Sequence, residues 1–252
     1  MQNPKRFRTV VRQFDKMSEV MPRVKLFADA ERARELLAVA GLSAGEGVLE
    51  VGCGPGFVLA EAGIAGRLVG VDVSVKMLAS ARERARNASL VRAAVERLPF
   101  SDGTFGLAYC RSVLHHVLYP PAMMREMARV VKPGGRVVVN DSVSSEDRAE
   151  AENHNRIERL RDPSHGRMLP PTEMLGLFER APLEVAQVRA HRYRRDLEEF
   201  LDIGGPEPAA RGEIVGLFRK WTSCDESGLL VREEGNRIVF DHTQWTVLGL
   251  RR

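Results

Sequence analysis

The residues best suited to chemistry fall in three places along the 252-residue chain. The first is Val48-Leu49-Glu50-Val51-Gly52-Cys53-Gly54-Pro55-Gly56, an apolar, β-branched run that ends in closely spaced glycines. Gly52 and Gly54 allow backbone angles and close approaches that a Cβ would block, and a helix starting just after them presents unpaired amides. In an open α/β sheet such a turn receives a nucleotide-like ligand. The dinucleotide fingerprint GxGxxG needs glycine or alanine where this chain has Phe57, which argues against a pyrophosphate-bearing ligand. The loop is instead GxGxG, with an acid, Glu50, inside the preceding strand. The second place is Asp72, where an ionised carboxylate can accept from two adjacent hydroxyls at once. Its competing role is a helix cap, because Ser74 lies close by. The third is His115 with Asp141, 26 residues on. Each stands just past an expected strand, at one sheet edge, so the pair reads as a general base and the carboxylate that fixes its tautomer. Against this stand plain backbone hydrogen bonding by His116 or both histidines, and Asp141 as a cap for the helix after it. His165, in Asp162-Pro163-Ser164-His165, reads as a turn-stabilising residue or a pocket-lining one. His154, His191 and His242 have no partner identifiable from sequence. With no HExxH-type spacing and no cysteine pair, no metal is expected.

These side chains need a frame to hold them. Five short strands are expected at residues 48–51, 67–71, 90–94, 105–110 and 136–140, alternating with helical stretches, the pattern of a parallel sheet covered on both faces. Ser74 caps one helix, and Pro120-Pro121 opens another that carries Met123, Met124 and Met127 as core filler and closes at Lys132-Pro133-Gly134-Gly135. Residues 14–42 show helical spacing through Leu26, Phe27, Ala30, Ala33, Leu36 and Leu37. Later, Ser145-Glu146-Asp147 starts a helix to about residue 160, and Thr172 caps one ending near Ala181. Residues 185–188 and 245–250 read as an antiparallel edge, with about 190–237 as an insertion of helix and loop over the strand ends. The expected organisation is a single α/β domain over residues 1–252. Its parts are a helical cover at 1–45, a ligand-binding core at 46–141, and a remainder at 142–252 that includes the insertion at about 190–237.

At 44% hydrophobic and 29% charged residues the chain can build a buried core, which excludes disorder and a fibrous repeat. The net charge of +4 comes from residues spread along the whole chain, with six lysines against thirty-two arginines. The densest group, His191-Arg192-Tyr193-Arg194-Arg195, reads as solvated surface, so nucleic acid is not an expected partner. No apolar run approaches the roughly 20 residues that cross a bilayer, and no signal-peptide pattern opens the sequence. Three cysteines with no CxxC pair signal neither a disulfide framework nor a thiolate zinc site and fit a reducing cytoplasm.

Taken in order, these motifs resemble those of class I S-adenosylmethionine-dependent methyltransferases of the small-molecule branch, the ubiquinone/menaquinone type and sugar O-methyltransferases among them. The likeness runs from about residue 48 to 141. It includes Leu98-Pro99-Phe100-Ser101-Asp102-Gly103-Thr104-Phe105, similar to an LPFxDxxFD stretch, then Ser112-Val113-Leu114-His115-His116 and Val131-Lys132-Pro133-Gly134-Gly135. The resemblance implies a Rossmann-like, doubly wound, mostly parallel seven-stranded sheet with an antiparallel C-terminal edge strand and helical lid insertions. It implies S-adenosyl-L-methionine as cofactor, with Gly52, Gly54 and Gly56 receiving its methionine part, Glu50 its ammonium and Asp72 its ribose, and with Val95, Glu96 and Arg111 completing the set. An acid that reads adenine in the family is replaced here by Ala94, and the Asp that usually follows Phe105 is Gly106. Sugar O-methyltransferases place a His and an Asp where His115 and Asp141 stand, so the expected reaction is methyl transfer to a small organic acceptor, with oxygen favoured. A homodimer belongs to the same expectation. The alternatives are a dinucleotide-dependent oxidoreductase and a non-catalytic relative that only binds the cofactor.

Overall fold

The computed structural model describes residues 4–21, 24 and 28–252. Among these residues, eight strands form one sheet in the order β3-β2-β1-β4-β5-β8-β6, with short β7 paired to β8. The strands are β1 (Gly47–Val51), β2 (Arg67–Asp72), β3 (Ser89–Arg92), β4 (Phe105–Arg111), β5 (Val131–Val143), β6 (Leu183–Asp196), β7 (Arg232–Glu234) and β8 (Arg237–Arg251). The first five run parallel, and β8 pairs antiparallel with β5, β6 and β7. The chain leaves β1 toward β2 and β3, then returns on the other side of β1 as β4 and β5. That reversal opens a crevice beyond the C-terminal ends of β1 and β4, where open α/β sheets bind ligands.

Alternate residues of the strands feed two cores. Leu49, Val51, Val137, Val139 and Cys110 face one cluster with Met123, Met124, Met127 and Phe178, while Val48, Leu107, Tyr109 and Val138 face another with Leu36, Leu37, Val58 and Leu59. This period of two, buried on both faces, is what a helix-covered parallel sheet requires. The three methionines are fully buried filler. A third cluster, built from Ile157, Phe200, Phe218, Trp221 and Phe240, lies among the later helices and the start of β8.

The helices are α1 (Pro4–Met17), α2 (Ala30–Val39), α3 (Phe57–Glu61), α4 (Val75–Arg84), α5 (Pro120–Val130), α6 (Arg148–Arg161), α7 (Pro171–Arg180), α8 (Leu197–Gly204) and α9 (Pro208–Trp221). Ser74 does cap α4, its hydroxyl accepting from Met77 N at 3.1 Å, and Asp147 caps α6 through Ala149 N and Glu150 N. Several boundaries differ from expectation. The spacing over 14–42 belongs to two helices, with α1 reaching back to Pro4; Leu26 and Phe27 lie outside the described residues. Pro170, not Thr172, is the N-cap of α7, and the Thr172 hydroxyl donates to Glu146 Oε2. Strand β3 ends at Arg92, short of Ala94, whereas β5, β6 and β8 run longer than their apolar cores because ladder pairing continues through polar residues. The insertion therefore spans 197–231, narrower than 190–237, and Arg195 of the basic cluster is buried. No helix among the described residues is long and apolar enough to cross a membrane.

Candidate functional site

A cavity of about 220 Å³ opens at the crevice. One end is formed by Glu50, Gly52, Gly54, Asp72, Val95 and Glu96, the middle by Arg111, Ser112 and His115, and the far end by Arg161, Asp162, Arg195, His242 and Gln244. Helix α1 lays Phe7, Val10, Phe14 and Met17 along its side.

Gly52 has φ +69°, and a Cβ there would sit 2.5 Å from Val113 Cγ2, so only glycine lets the loop after β1 pass the segment after β4. Gly54 has φ +50° with open space where a Cβ would be, and its amide donates to Asp72 Oδ2 at 2.9 Å. Asp72 Oδ1 accepts from Ser74 N at 2.8 Å. Asp72 thus ties the glycine loop to Ser74, the residue that caps α4, while also lining the cavity. Burial raises its pKa, against the pull of the Ser74 and Gly54 amides. Gly56 does not line the cavity: it is the left-handed N-cap of α3 and backs onto Ala81, so its part is to turn the chain.

Glu50 sits within β1 beside Tyr109 of β4, its register partner, whose hydroxyl donates to Glu50 Oε2 at 3.1 Å. Burial pushes the Glu50 carboxyl up to about 8 despite the Tyr109 hydrogen bond and the Arg111 charge. A buried acid at the floor of a glycine cradle suits a cationic group, whose arrival would restore the ionised form. The cradle therefore fits an amino-acid-bearing nucleoside such as S-adenosylmethionine, with ammonium at Glu50, ribose hydroxyls at Asp72 and an apolar wall of Met77 and Val95.

His115 and Asp141 meet because β4 and β5 are parallel neighbours with Arg111 opposite Asn140, which sets Ser112 beside Asp141. The chain then turns back through Ser112, a non-glycine at φ +55°, into a single 3₁₀ turn, Leu114–His116. His115 Nδ1 lies 2.5 Å from Asp141 Oδ1. Asp141, fully buried, also accepts from Ser142 N through Oδ1 and from Leu114 N through Oδ2, each at 2.7 Å. It caps the 3₁₀ turn instead of the helix that follows. An ionised carboxylate can only accept, so Nδ1 carries the proton and the Nε2 lone pair is left over. Burial lowers the His115 pKa, but the Asp141 charge and hydrogen bond, with Glu158 and Asp162 behind, outweigh it and leave the pKa raised. His115 lines the cavity and Asp141 stands behind it.

The neighbouring histidines do other work. His116 Nδ1 reaches the Ser164 carbonyl at 3.2 Å, and burial together with the charge of His115 lowers its pKa to about 4. His165 meets Asn155 Oδ1 at 2.9 Å and is held neutral by burial, pKa about 2. Its turn is structural, since Gly166 N and Arg167 N both donate to the His115 carbonyl. His154 and His242, unassigned from sequence, both approach Glu158. Sequence reasoning also missed Arg161, Arg195 and Gln244 at the far end and the α1 stripe. The stripe had a signal in the three- and four-residue spacing of Phe7, Val10, Phe14 and Met17; the far-end residues carried none.

Residues 49–139 match the methyltransferase domain family. The chain is 30% identical over 247 residues to YcgJ of Bacillus subtilis strain 168, an uncharacterized methyltransferase, covering 95% of this chain and 98% of that one. The YcgJ crystal structure superposes with a TM-score of 0.81 over 87% of this chain and 97% of its own, at 25% identity. A protein of Bacillus halodurans C-125 shares the fold, with TM-score 0.82 at 23% identity over 87% of this chain and 98% of that one. A demethylmenaquinone methyltransferase of Mycobacterium sp. strain KMS is 34% identical over 144 residues, 57% of this chain and 60% of that protein.

Proposed function

The chain belongs to the S-adenosylmethionine-dependent methyltransferases, and from that premise we propose that it methylates a small organic acceptor, oxygen being favoured over nitrogen or carbon. The observation that carries this reading is the 2.5 Å contact between His115 Nδ1 and Asp141 Oδ1 beside the glycine cradle. The bound cofactor supplies an electrophilic methyl group on a good leaving group. What the chain must add is alignment, exclusion of water and, for a hydroxyl, a place for its proton. His115 Nε2 takes that proton, and Asp141 holds the ring and stabilises the imidazolium that results. Glu50, Gly52, Gly54 and Asp72 hold the cofactor, with Val95, Glu96 and Arg111 completing its walls.

We assign acceptor cover to α1 and to the far end of the cavity, where Arg161, Arg195 and Gln244 offer hydrogen-bond donors amid apolar surface. The relative named for demethylmenaquinone supports a small-molecule acceptor of this kind. The reading is tested by incubating the protein with methyl-labelled cofactor and a panel of phenolic, alcoholic, amine and carbon-acid acceptors. Label in an ether product that depends on His115 is the expected result, whereas label only in amine or carbon products from both wild type and His115→Ala would sink the oxygen assignment.

A further inference from the structure

One buried cluster bears on that chemistry only through the charge of Glu158 on His115. His154 and Glu158 stand four residues apart on one face of α6, and His242 arrives from β8. Glu158 Oε1 lies 3.9 Å from His154 Nε2 and 3.5 Å from His242 Nε2, and one ligand atom from each of the three residues lies within 4.8 Å of the others. The side chains are 2%, 1% and 3% exposed, so all three are withdrawn from bulk solvent. The three atoms that face one another, His154 Nε2, Glu158 Oε1 and His242 Nε2, have no hydrogen-bond partner. Buried polar atoms are normally paired, and three unpaired ones converging on a single point call for one shared partner.

We propose that this cluster is a metal site for a divalent transition ion. Two imidazole nitrogens and one carboxylate oxygen are the donors that zinc, cobalt(II) or iron(II) take, and they would close around an ion by a contraction of a few tenths of an ångström. The surroundings supply supporting contacts. Arg161 binds the other carboxylate oxygen, Glu158 Oε2, with Nε at 3.0 Å and Nη2 at 2.7 Å, which fixes the carboxylate and leaves Oε1 turned inward. The Tyr193 hydroxyl lies 3.4 Å from His242 Nδ1, the opposite edge of that ring. Because Arg161 neutralises Glu158 and Arg195 adds positive charge nearby, the site is too poor in charge and oxygen for calcium or magnesium. Glu158 and His242 also line the cavity that holds His115, so the ion would stand at the acceptor end.

The test needs no turnover and is independent of the acceptor. Tag-free protein, stripped with chelator and re-equilibrated, is titrated with cobalt(II) while visible d–d absorption is followed, then with zinc. One cobalt per chain, displaced by one equivalent of zinc, is expected. His154→Ala and His242→Ala should each abolish the bands while still binding S-adenosylhomocysteine as wild type does, and Tyr193→Phe should weaken cobalt by about 10- to 100-fold. No stoichiometric cobalt in wild type would overturn the proposal, and that arm uses no variant. Bands that survive both histidine variants, or that disappear in His115→Ala, would overturn it equally by placing the ion elsewhere.

Discussion

At the scale of single residues, the His115 and Asp141 pair makes the most exposed claim. Removing a positioned base should lower kcat by about 10²- to 10⁴-fold in His115→Ala, with cofactor affinity little changed because the glycine loop is untouched. Asp141→Asn should lower kcat too, and the double variant should fall short of the product of the two effects because the residues act as a unit. The pH profile supplies the sign. A base works only when neutral, so the wild-type rate should rise with pH through a His115 pKa held above its ordinary value of 6.5. Asp141→Asn withdraws the charge that raises it, so the acid limb should move to lower pH while the plateau drops; a limb that stays in place would divorce it from this histidine. Glu50 gives an opposite pairing of stability and binding. Its pKa of about 8 in the folded protein exceeds the ordinary 4.5, so its contribution to stability is complete below pH 4.5 and is lost as pH rises through 8. Cofactor-free Glu50→Gln, which cannot ionise, should therefore show a smaller loss of melting temperature from pH 5 to 9 than wild type. The same change should weaken the cofactor by about 1.5–3 kcal/mol, the range for hydrogen bonds to charged groups. Calorimetry on both proteins across that pH range checks both halves.

At the scale of elements, the two inner glycines of the loop should fail in different ways. Gly52→Ala combines a positive φ with a Cβ driven into Val113, so urea denaturation should register a loss beyond the about 1–2 kcal/mol of left-handed strain alone. Gly54→Ala meets no atom, so its stability loss should stay near that strain while the methyl group enters the cavity and cuts cofactor affinity. Equal stability losses would mean that the Val113 contact relaxes freely. The parallel half of the sheet was legible because β1, β2 and β4 are apolar runs punctuated by glycine, with Ser74 and Pro120-Pro121 marking helix starts. In the far half the antiparallel pair at 185–188 and 245–250 was legible, but its full length and short β7 were not. In β6 and β8 the ladder runs on through Arg189, Arg192, Asp241 and Gln244, whose strand state comes from a partner strand tens of residues away and not from their own propensity. Helix α1 falls within the helical cover expected at 1–45, but its start at Pro4 was missed because its basic residues masked a four-residue apolar stripe. The glycine-loop end of the cavity could be read from contiguous motifs, and the meeting of His115 with Asp141 from strand ends. Glu158, Arg161, Arg195 and His242 could not, since they lie on α6, β6 and β8, far apart in sequence, and only the folded chain brings them to one wall.

At the scale of the whole molecule, the cavity touches the ends of β1, β2 and β4 together with α1, α6, β6 and β8, so a ligand there braces most of the fold at once. At 100 times its Kd, S-adenosylhomocysteine should add about 2.7 kcal/mol, which for a chain of this size raises Tm by roughly 5–10 °C. NAD at the same concentration should leave Tm unchanged; an equal shift with NAD would contradict the cofactor assignment. The seating of β8 between β5 and β6 also bears on how the chain is made. Strand β6 pairs with β8 and, among the described residues, with no other strand, yet about forty residues separate the end of one from the start of the other. At about 5–20 residues per second, a ribosome leaves β6 without its partner for several seconds, a fourteen-residue edge open to any passing strand. The basic run His191-Arg192-Tyr193-Arg194-Arg195, whose exposed Arg192 and Arg194 had no assigned role, then keeps that nascent edge charged and self-repelling until β8 arrives to cover it.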